Sequence, residues 1–260
     1  MRYLVLASLL LLPAVALADN VPSCAFHADR NLDLDLSGVR AVRFVVNSYD
    51  LSVQGGSAAG KGTLRGKACG SDQKIVDNLI VTQEKRGDTL VVELTEKDKS
   101  WSGGWGNHYS YLKVEATIPA SLPVTVEAGS GDVKLRSIAS LDVGAGSGDI
   151  EASDVKGAVH ARIGSGDVKV DGAGSMSVDS VGSGDLTARQ VHGDVRIGTV
   201  GSGDAKLTDV DGSVDVGTIG SGDLGVDGVK GNLTVRKKGS GNIEQHGVAG
   251  KVNIPASHDD

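Results

Sequence analysis

Six copies of Gly-Ser-Gly-Asp and one of Gly-Ser-Gly-Asn recur in the second half of this chain, beginning at Gly129, Gly146, Gly164, Gly182, Gly201, Gly220 and Gly239. Their carboxylates, on Asp132, Asp149, Asp167, Asp185, Asp204 and Asp223, are the groups best spaced to do chemistry. Stacked one coil apart, about 4.8 Å, they could hold calcium between coils, because hard cations take oxygen ligands. Left unpaired, neighbours in such a file repel by ~0.9 kcal/mol per pair even in bulk water. The competing role is a turn: each carboxylate accepts backbone N–H groups in Asx-type fashion while the glycines take positive-φ positions. The turn role is favoured. The motif occurs once per coil, lacks the residue between Gly and Asp found in calcium-binding nonapeptide rolls, and carries Asn242 in its last copy. No metal and no cofactor is therefore assigned.

Other motifs carry less. Gly55-Gly-Ser-Ala-Ala-Gly60-Lys61-Gly62 imitates a phosphate loop, but Gly62 stands where a magnesium-binding hydroxyl is needed and no helix is expected to follow. The histidines, His27, His108, His160, His192, His246 and His258, show no metal-ligand spacing and no phase shared with a serine nucleophile. One segment is unusual: Trp101-Ser-Gly-Gly-Trp105-Gly-Asn-His-Tyr109-Ser-Tyr111 concentrates aromatic residues on a glycine-rich stretch. Rings so placed suit sugars, partner hot spots or a membrane interface, or else fold over an open end of the structure as a lid. Trp101, Trp105, Tyr109 and Tyr111 are the candidate binding surface.

The elements that must position these residues follow from the repeat. The motif intervals are 17, 18, 18, 19, 19 and 19 residues, too short for a self-sufficient core, so each copy is one coil of a stack. Counted from each motif Asp, apolar residues return near positions 1, 3, 6, 10, 12 and 15. The fourth coil, for example, gives Leu186, Ala188, Val191, Val195, Ile197 and Val200. Over six coils 35 of 36 such slots are apolar, and Lys238 is the exception. Alternation at 1/3 and 10/12 is strand period, so each coil has two short strands and a third contact at 6. The expected fold is all-β: a single-stranded parallel β-solenoid of ~18–19 residues per coil, right-handed by the general rule for parallel crossovers. Helix is not expected, since glycine is abundant and no 3.6-residue stripe is sustained. Residues 31–118 also alternate, but irregularly. The polar Gln245 and the tail after Pro255 suit a closing coil.

Compartment and partners are bounded more loosely. Arg2, the apolar run Leu4 to Leu12 and Ala16-Leu17-Ala18 form a secretory leader cut after Ala18, with no further membrane span expected. Lys and Arg number 26 against 33 Asp and Glu, a formal charge of −7; without Arg2 the balance is 25 against 33, or −8. Nucleic acid is a poor partner for such a chain. Cys24 and Cys69 in an oxidising compartment are expected to form one disulfide. The chain thus divides into the leader at 1–18, an irregular β-rich region at 19–118 (early coils or a cap) and the solenoid at 119–260.

From Thr117-Ile-Pro-Ala-Ser-Leu-Pro-Val-Thr-Val-Glu-Ala-Gly-Ser-Gly-Asp-Val133 onward the pattern of strand, proline-containing link and repeated Gly-Ser-Gly-Asp coils resembles a known family. It is similar, over residues 41–254, to bacterial β-strand-repeat domains of unknown function labelled "putative adhesin". That resemblance implies a β-solenoid in an exported or envelope protein. The reading is a periplasmic or secreted, non-catalytic structural or binding module of the cell envelope, adhesin-like, whose partner is an unidentified envelope protein or polysaccharide. The alternatives are a carbohydrate-active β-helix enzyme (polysaccharide lyase or hydrolase) and a calcium-stabilised repeat protein. A fold alone does not choose among them.

Overall fold

The structure is a computed structural model that describes residues 24–56, 60–98 and 108–255. The leader expected at 1–18, with its cut after Ala18, lies outside those residues, as do Trp101, Trp105 and the last residues of the tail. In chain order the elements begin with strands β1 (Phe26–Asp29), β2 (Leu32–Asp35), β3 (Ala41–Asn47), β4 (Asp50–Gly55) and β5 (Lys61–Gly70). A short helix α1 (Gln73–Asn78) follows, then β6 (Leu79–Arg86), β7 (Thr89–Glu96), β8 (Ser110–Ile118), β9 (Val124–Ala128), β10 (Val133–Arg136) and β11 (Leu141–Ala145). The remaining coils supply β12 (Ile150–Ile163), β13 (Val168–Val181), β14 (Leu186–Val191), β15 (Val195–Val200), β16 (Ala205–Val210) and β17 (Val214–Ile219). Last come β18 (Leu224–Val229), β19 (Leu233–Lys238), β20 (Ile243–Val248) and β21 (Val252–Asn253).

These strands build a β-solenoid of about 7 turns with two principal sheets. The first stacks β8, β4, β10, the first halves of β12 and β13, then β14, β16, β18 and β20, all parallel. The second stacks β7, β3, β9, β11, the second halves of β12 and β13, then β15, β17, β19 and β21. Register is strict. Leu51, Val133, Ile150, Val168, Leu186, Ala205, Leu224 and Ile243 stand in one inward file. All 35 apolar slots read from the repeat are buried, none more than 5% exposed. Burial of these Val, Ile, Leu and Ala side chains is the main stabilising term.

A narrow third face holds the slot at position 6, filled by Ile138, Val155, Ala173, Val191, Val210 and Val229. The chain reaches it through a left-handed residue at position 5: Ser137, Asp154, Gly172, Gln190, Asp209, Gly228 and Gly247, with φ between 53° and 82°. The motif glycines behave otherwise, and here the sequence expectation fails. None of them has positive φ. They are glycine because successive coils touch there through their backbones. A Cβ on Gly148, Gly166, Gly184, Gly203 or Gly222 would lie 1.9–2.1 Å from the carbonyl oxygen of the equivalent glycine one coil earlier. Such close approach is the other reason for glycine in a sheet.

The N-terminal end is closed by antiparallel strands. β5 pairs with β8 on one side and with β1 and β2 on the other, and β6 pairs with β7. Between them lies α1, a helix that the sequence pattern did not announce. Asp72 caps it by accepting the Ile75 N–H at 3.0 Å, while Ile75 and Val76 point into the core. Arg30 donates to the carbonyls of Val76 and Leu79 at 2.6 Å each, satisfying its C-terminal end. At the other end, β20 pairs with β18 and β21 with β19, and Val252 is 44% exposed.

Candidate functional site

The motif aspartates do form a file, and its hydrogen bonds run between coils. Oδ1 of Asp132 accepts the N–H of Asp149 at 3.1 Å, and Asp149, Asp167, Asp185 and Asp204 each accept from the next aspartate at 2.8–2.9 Å. Asp223 accepts from Asn242 at 2.7 Å, and Asp50 extends the file upward by accepting from Asp132 at 3.2 Å. The carboxylate thus takes a backbone donor, as a turn role requires, but the donor belongs to the neighbouring coil. A second ladder went unread in the sequence: Asp194 accepts from Ser213, Ser213 from Asn232, and Asn232 from Lys251, at 2.8–3.1 Å. Its signal was a short polar residue nine positions after Asp185, Asp204 and Asp223. Among the described residues no group of three or more His, Cys, Asp or Glu side chains is placed to hold a metal ion.

Three histidines, His108, His160 and His192, have carboxylate neighbours on the surface. His160 Nε2 lies 3.2 Å from Asp179, and His192 Nδ1 lies 3.1 Å from Asp211, which also holds Lys230 at 2.7 Å. The hydrogen bond from Lys230 is the larger cause, and that with His192 the next, of an Asp211 carboxyl held below its usual range. Ser71 and Asp72 both approach His108, the hydroxyl at 3.4 Å and the carboxylate at 3.8 Å. Both face the same ring nitrogen, Nδ1, and the other Asp72 oxygen caps α1. A proton relay needs the two partners on opposite ring nitrogens, so this trio is not a hydrolytic triad.

The corner that carries the Gly-Ser-Gly-Asp turns has a second use near the N-terminal end. From β9 to β10 the chain turns from one sheet to the other through Gly129-Ser-Gly-Asp132; from β3 to β4 it does so through Ser48 and Tyr49. Because β7 stacks on β3 and β8 on β4, the connection at residues 97–109 joins the same two sheets and is an expanded one in chain length, thirteen residues where Ser48 and Tyr49 suffice between β3 and β4. The aromatic segment is therefore, in sequence, an insertion between β7 and β8. Tyr49 occupies the place of the motif glycine Gly131. It is 8% exposed and donates its hydroxyl to Glu96 Oε1 at 2.9 Å. Burial first, and the Glu96 carboxylate second, push the Tyr49 phenol far above its usual value. Asn78 donates to Glu96 Oε2 at 3.4 Å and to the Asp98 carbonyl at 3.1 Å, tying α1 to the start of the insertion.

Two hollows meet here at Glu96 and Ser110. One, of about 370 Å3, is lined by Asn47, Ser48, Tyr49, Thr95, Glu96 and Ser110. The other, of about 150 Å3, is lined by Ile75, Asn78, Leu79, Glu96, His108, Tyr109 and Ser110. Among the described residues the exposed large apolar side chains are Phe26, Tyr109, Tyr111 and Val252. The first three belong to this end. The Ala25 N–H donates to the Tyr109 hydroxyl at 3.1 Å, and Phe26 stands opposite Gly70, itself opposite Ser110. Burial, then the Asp50 carboxylate, raises the Tyr111 phenol above its usual value. The expected disulfide is present, Cys24 to Cys69 with Cα atoms 5.7 Å apart, and Cys69 lies opposite Tyr111 in register. Phe26 was missed in the sequence, since a lone ring in a short strand carries no pattern. Trp101 and Trp105, the other two candidate contacts, fall outside the described residues.

A further groove of about 410 Å3 crosses the first sheet beside Gln54, Glu115, Lys134, Arg136 and Glu151. Among the described residues its lining holds no aromatic side chain, and Lys134 and Glu151 pair across it at 3.3 Å. Among the described residues no helix is long and apolar enough to cross a membrane.

Comparison with known proteins places this geometry in a family. The model of the family described as "Toastrack DUF4097" matches residues 39–259, and the chain belongs to that family. The chain is similar to a "putative adhesin" of Bacteroides fragilis, at 18% identity over 84% of this chain and 97% of that one, with a TM-score of 0.57. Weaker likenesses are to a "putative adhesin" of Parabacteroides distasonis (15%, 85% and 97%, TM-score 0.47) and a "Putative lipid binding protein" of the same species (17%, 87% and 97%, TM-score 0.46). At such identities the Bacteroides likeness speaks for the fold alone. No curated protein matches the chain.

Proposed function

We propose that this Toastrack chain is an exported, non-catalytic binding module of the cell envelope, and that it makes contact through the expanded turn at its N-terminal end. On this reading residues 1–18 are a leader removed after Ala18, residues 19–118 carry the contact surface, and the solenoid at 119–260 is its rigid stand. The observation that carries the reading is the gathering of exposed rings. Tyr109 and Tyr111 are exposed at this end, as is Phe26 on the other face of the same sheet, and the chain joining β7 to β8 carries Trp101 and Trp105 in its sequence. Binding energy concentrates in such anchors, whereas the repeat faces offer small residues and paired charges. The Cys24–Cys69 bridge, which suits an oxidising compartment, pins the strand bearing Phe26 beside Tyr109.

The test is capture. Immobilised protein is expected to retain one or more envelope components, and a Tyr109→Ala/Tyr111→Ala variant with unchanged melting is expected to lose them. Capture that survives in the variant, or new reducing ends or unsaturated sugars released from envelope polysaccharide, would refute the reading.

A further inference from the structure

We infer that the outer face of the first sheet is a self-association surface, and that its partner is a second copy of this chain lying parallel to the first. This surface is separate from the N-terminal contact surface and does not depend on it. Two outward files run along the face: the motif aspartates, at position 0, and the residues at position 2. They stand about 7 Å apart along each strand and repeat every ~4.8 Å from coil to coil. Asp132, Asp167 and Asp204 at the first place are followed by Lys134, Lys169 and Lys206 at the second. On β8, stacked beside β4, the order is reversed as Lys113 and Glu115. Like charges stand together at Asp149 and Glu151, and at Lys67 and Arg65 of the antiparallel β5.

Elsewhere on the repeat, opposite charges pair within the chain, as Arg162 does with Asp142, His160 with Asp179 and Lys230 with Asp211. On this face they are held apart. Each carboxylate is fixed by the backbone N–H it accepts from the next coil. A hollow of about 300 Å3 is lined by Asp132, Asp149 and Asp167 of one file and by Lys134 and Lys169 of the other. Lys134 reaches Glu151, and among the described residues Lys169 and Lys206 form no ion pair.

Files of opposite sign, side by side, select the symmetry of docking. A two-fold axis parallel to the solenoid lays the aspartate file of one copy over the position-2 file of the other at equal height. Asp132, Asp167 and Asp204 then meet Lys134, Lys169 and Lys206, and Lys113 meets Glu115, so four opposite contacts per copy outnumber two like ones. A two-fold axis across the files sets aspartate on aspartate, so the copies lie parallel. Exposed ion pairs are individually weak and screened by salt, so the association is weak and salt-labile. It carries both N-terminal ends on one side, where two contact surfaces act together.

The experiment measures the force between full chains, disulfide intact, by static light scattering in about 10 mM and about 0.5 M sodium chloride. Chains of formal charge −7 without such a surface repel one another, more strongly as salt falls. Self-association gives the opposite sign: attraction at low salt that fades as salt rises. Lys169→Glu/Lys206→Glu, with melting unchanged, should turn the low-salt attraction into repulsion. Lys237→Glu/Lys251→Glu, the same change of charge at the second sheet, should leave it attractive. Glu244→Cys chains should be joined at low salt by a short bis-maleimide, since parallel copies bring their last coils together. Repulsion between parent chains at low salt would overturn the inference. So would attraction that Lys169→Glu/Lys206→Glu leaves unchanged, or that Lys237→Glu/Lys251→Glu abolishes equally. Attraction without cross-linking would overturn the parallel arrangement.

Discussion

Replacing Gly203 by alanine should cost far more than its small volume suggests. The new Cβ would sit 1.9 Å from the Gly184 carbonyl oxygen, where ordinary contact begins at 3.4 Å, so the two coils must part locally by 3.4 − 1.9 = 1.5 Å. Three bonds span that gap: Ser202 N–H and Gly203 N–H to the Gly182 carbonyl at 2.8 and 3.0 Å, and Asp204 N–H to Asp185 Oδ1 at 2.9 Å. Stretched by that amount they pass beyond hydrogen-bonding range. At roughly 0.5–1.5 kcal/mol net for each, the loss is about 1.5–4.5 kcal/mol, a large share of a domain's stability. Two controls separate contact from backbone strain. Gly225, with nothing nearer than Lys206 Cγ at 4.0 Å, should accept alanine with a gain of about 0.5 kcal/mol. Gly172, at φ +82° with nothing nearer than 3.6 Å, should lose about 1–2 kcal/mol from the left-handed conformation alone. Urea unfolding followed by far-ultraviolet circular dichroism measures all three. If Gly203→Ala unfolds within error of Gly225→Ala, the close-contact account of the motif is wrong.

Other expectations follow from the same structure. Asp185→Asn keeps the acceptor for the Asp204 N–H and should change stability little, whereas Asp185→Ala should lose about 1 kcal/mol; melting should coincide in millimolar calcium and in chelator, and a large fall in chelator would point to a calcium roll. Reduction of Cys24–Cys69, which closes a loop of sequence separation 45, should lower stability by about 4 kcal/mol in the chain-entropy model, read from denaturant midpoints with and without reductant. The Asp35 carboxyl is lowered from 3.8 to about 2, chiefly by its hydrogen bond from Lys85 and then by Ser37. Its folded value is depressed, so its contribution is present above 3.8 and is lost as pH falls through about 2. A carbon-detected titration should find that midpoint, and Lys85→Gln should move it back toward 3.8.

Much of the solenoid was legible because its core is one-dimensional. A slot such as Val195 or Ile219 repeats at fixed phase, so period alone told which side chains are buried. What failed to show was whatever depends on the gap between coils. The motif glycines read as turn residues, since a sequence gives their phase but not the 1.9 Å that a Cβ would leave to the coil before. Strand β5 was hidden for a related reason. Gly62, Gly66 and Gly70 weaken its pattern, yet they make room for Leu36, Arg30 and Ile75, whose side chains reach within 2.7–2.9 Å of where a Cβ would be. Helix α1 was too short to show a period. At the candidate site the aromatic residues stood out by composition, but their meaning depended on stacking order. The coil of β3 and β4 lies between that of β7 and β8 and that of β9 and β10, out of chain order, and only this shows that residues 97–109 join the same two sheets that a motif turn joins.

The most direct test of the central claim removes the expansion and leaves the stand. Replacing residues 99–107 by Gly-Ser-Gly deletes Trp101 and Trp105 while retaining the bonds between Asp98 and Asn78 and the pairing of β8 with β5. Capture of envelope components by this variant and by the parent chain is then compared at equal folded concentration. The account predicts a melting transition like that of the parent and loss of capture. Undiminished capture by the shortened chain would contradict it.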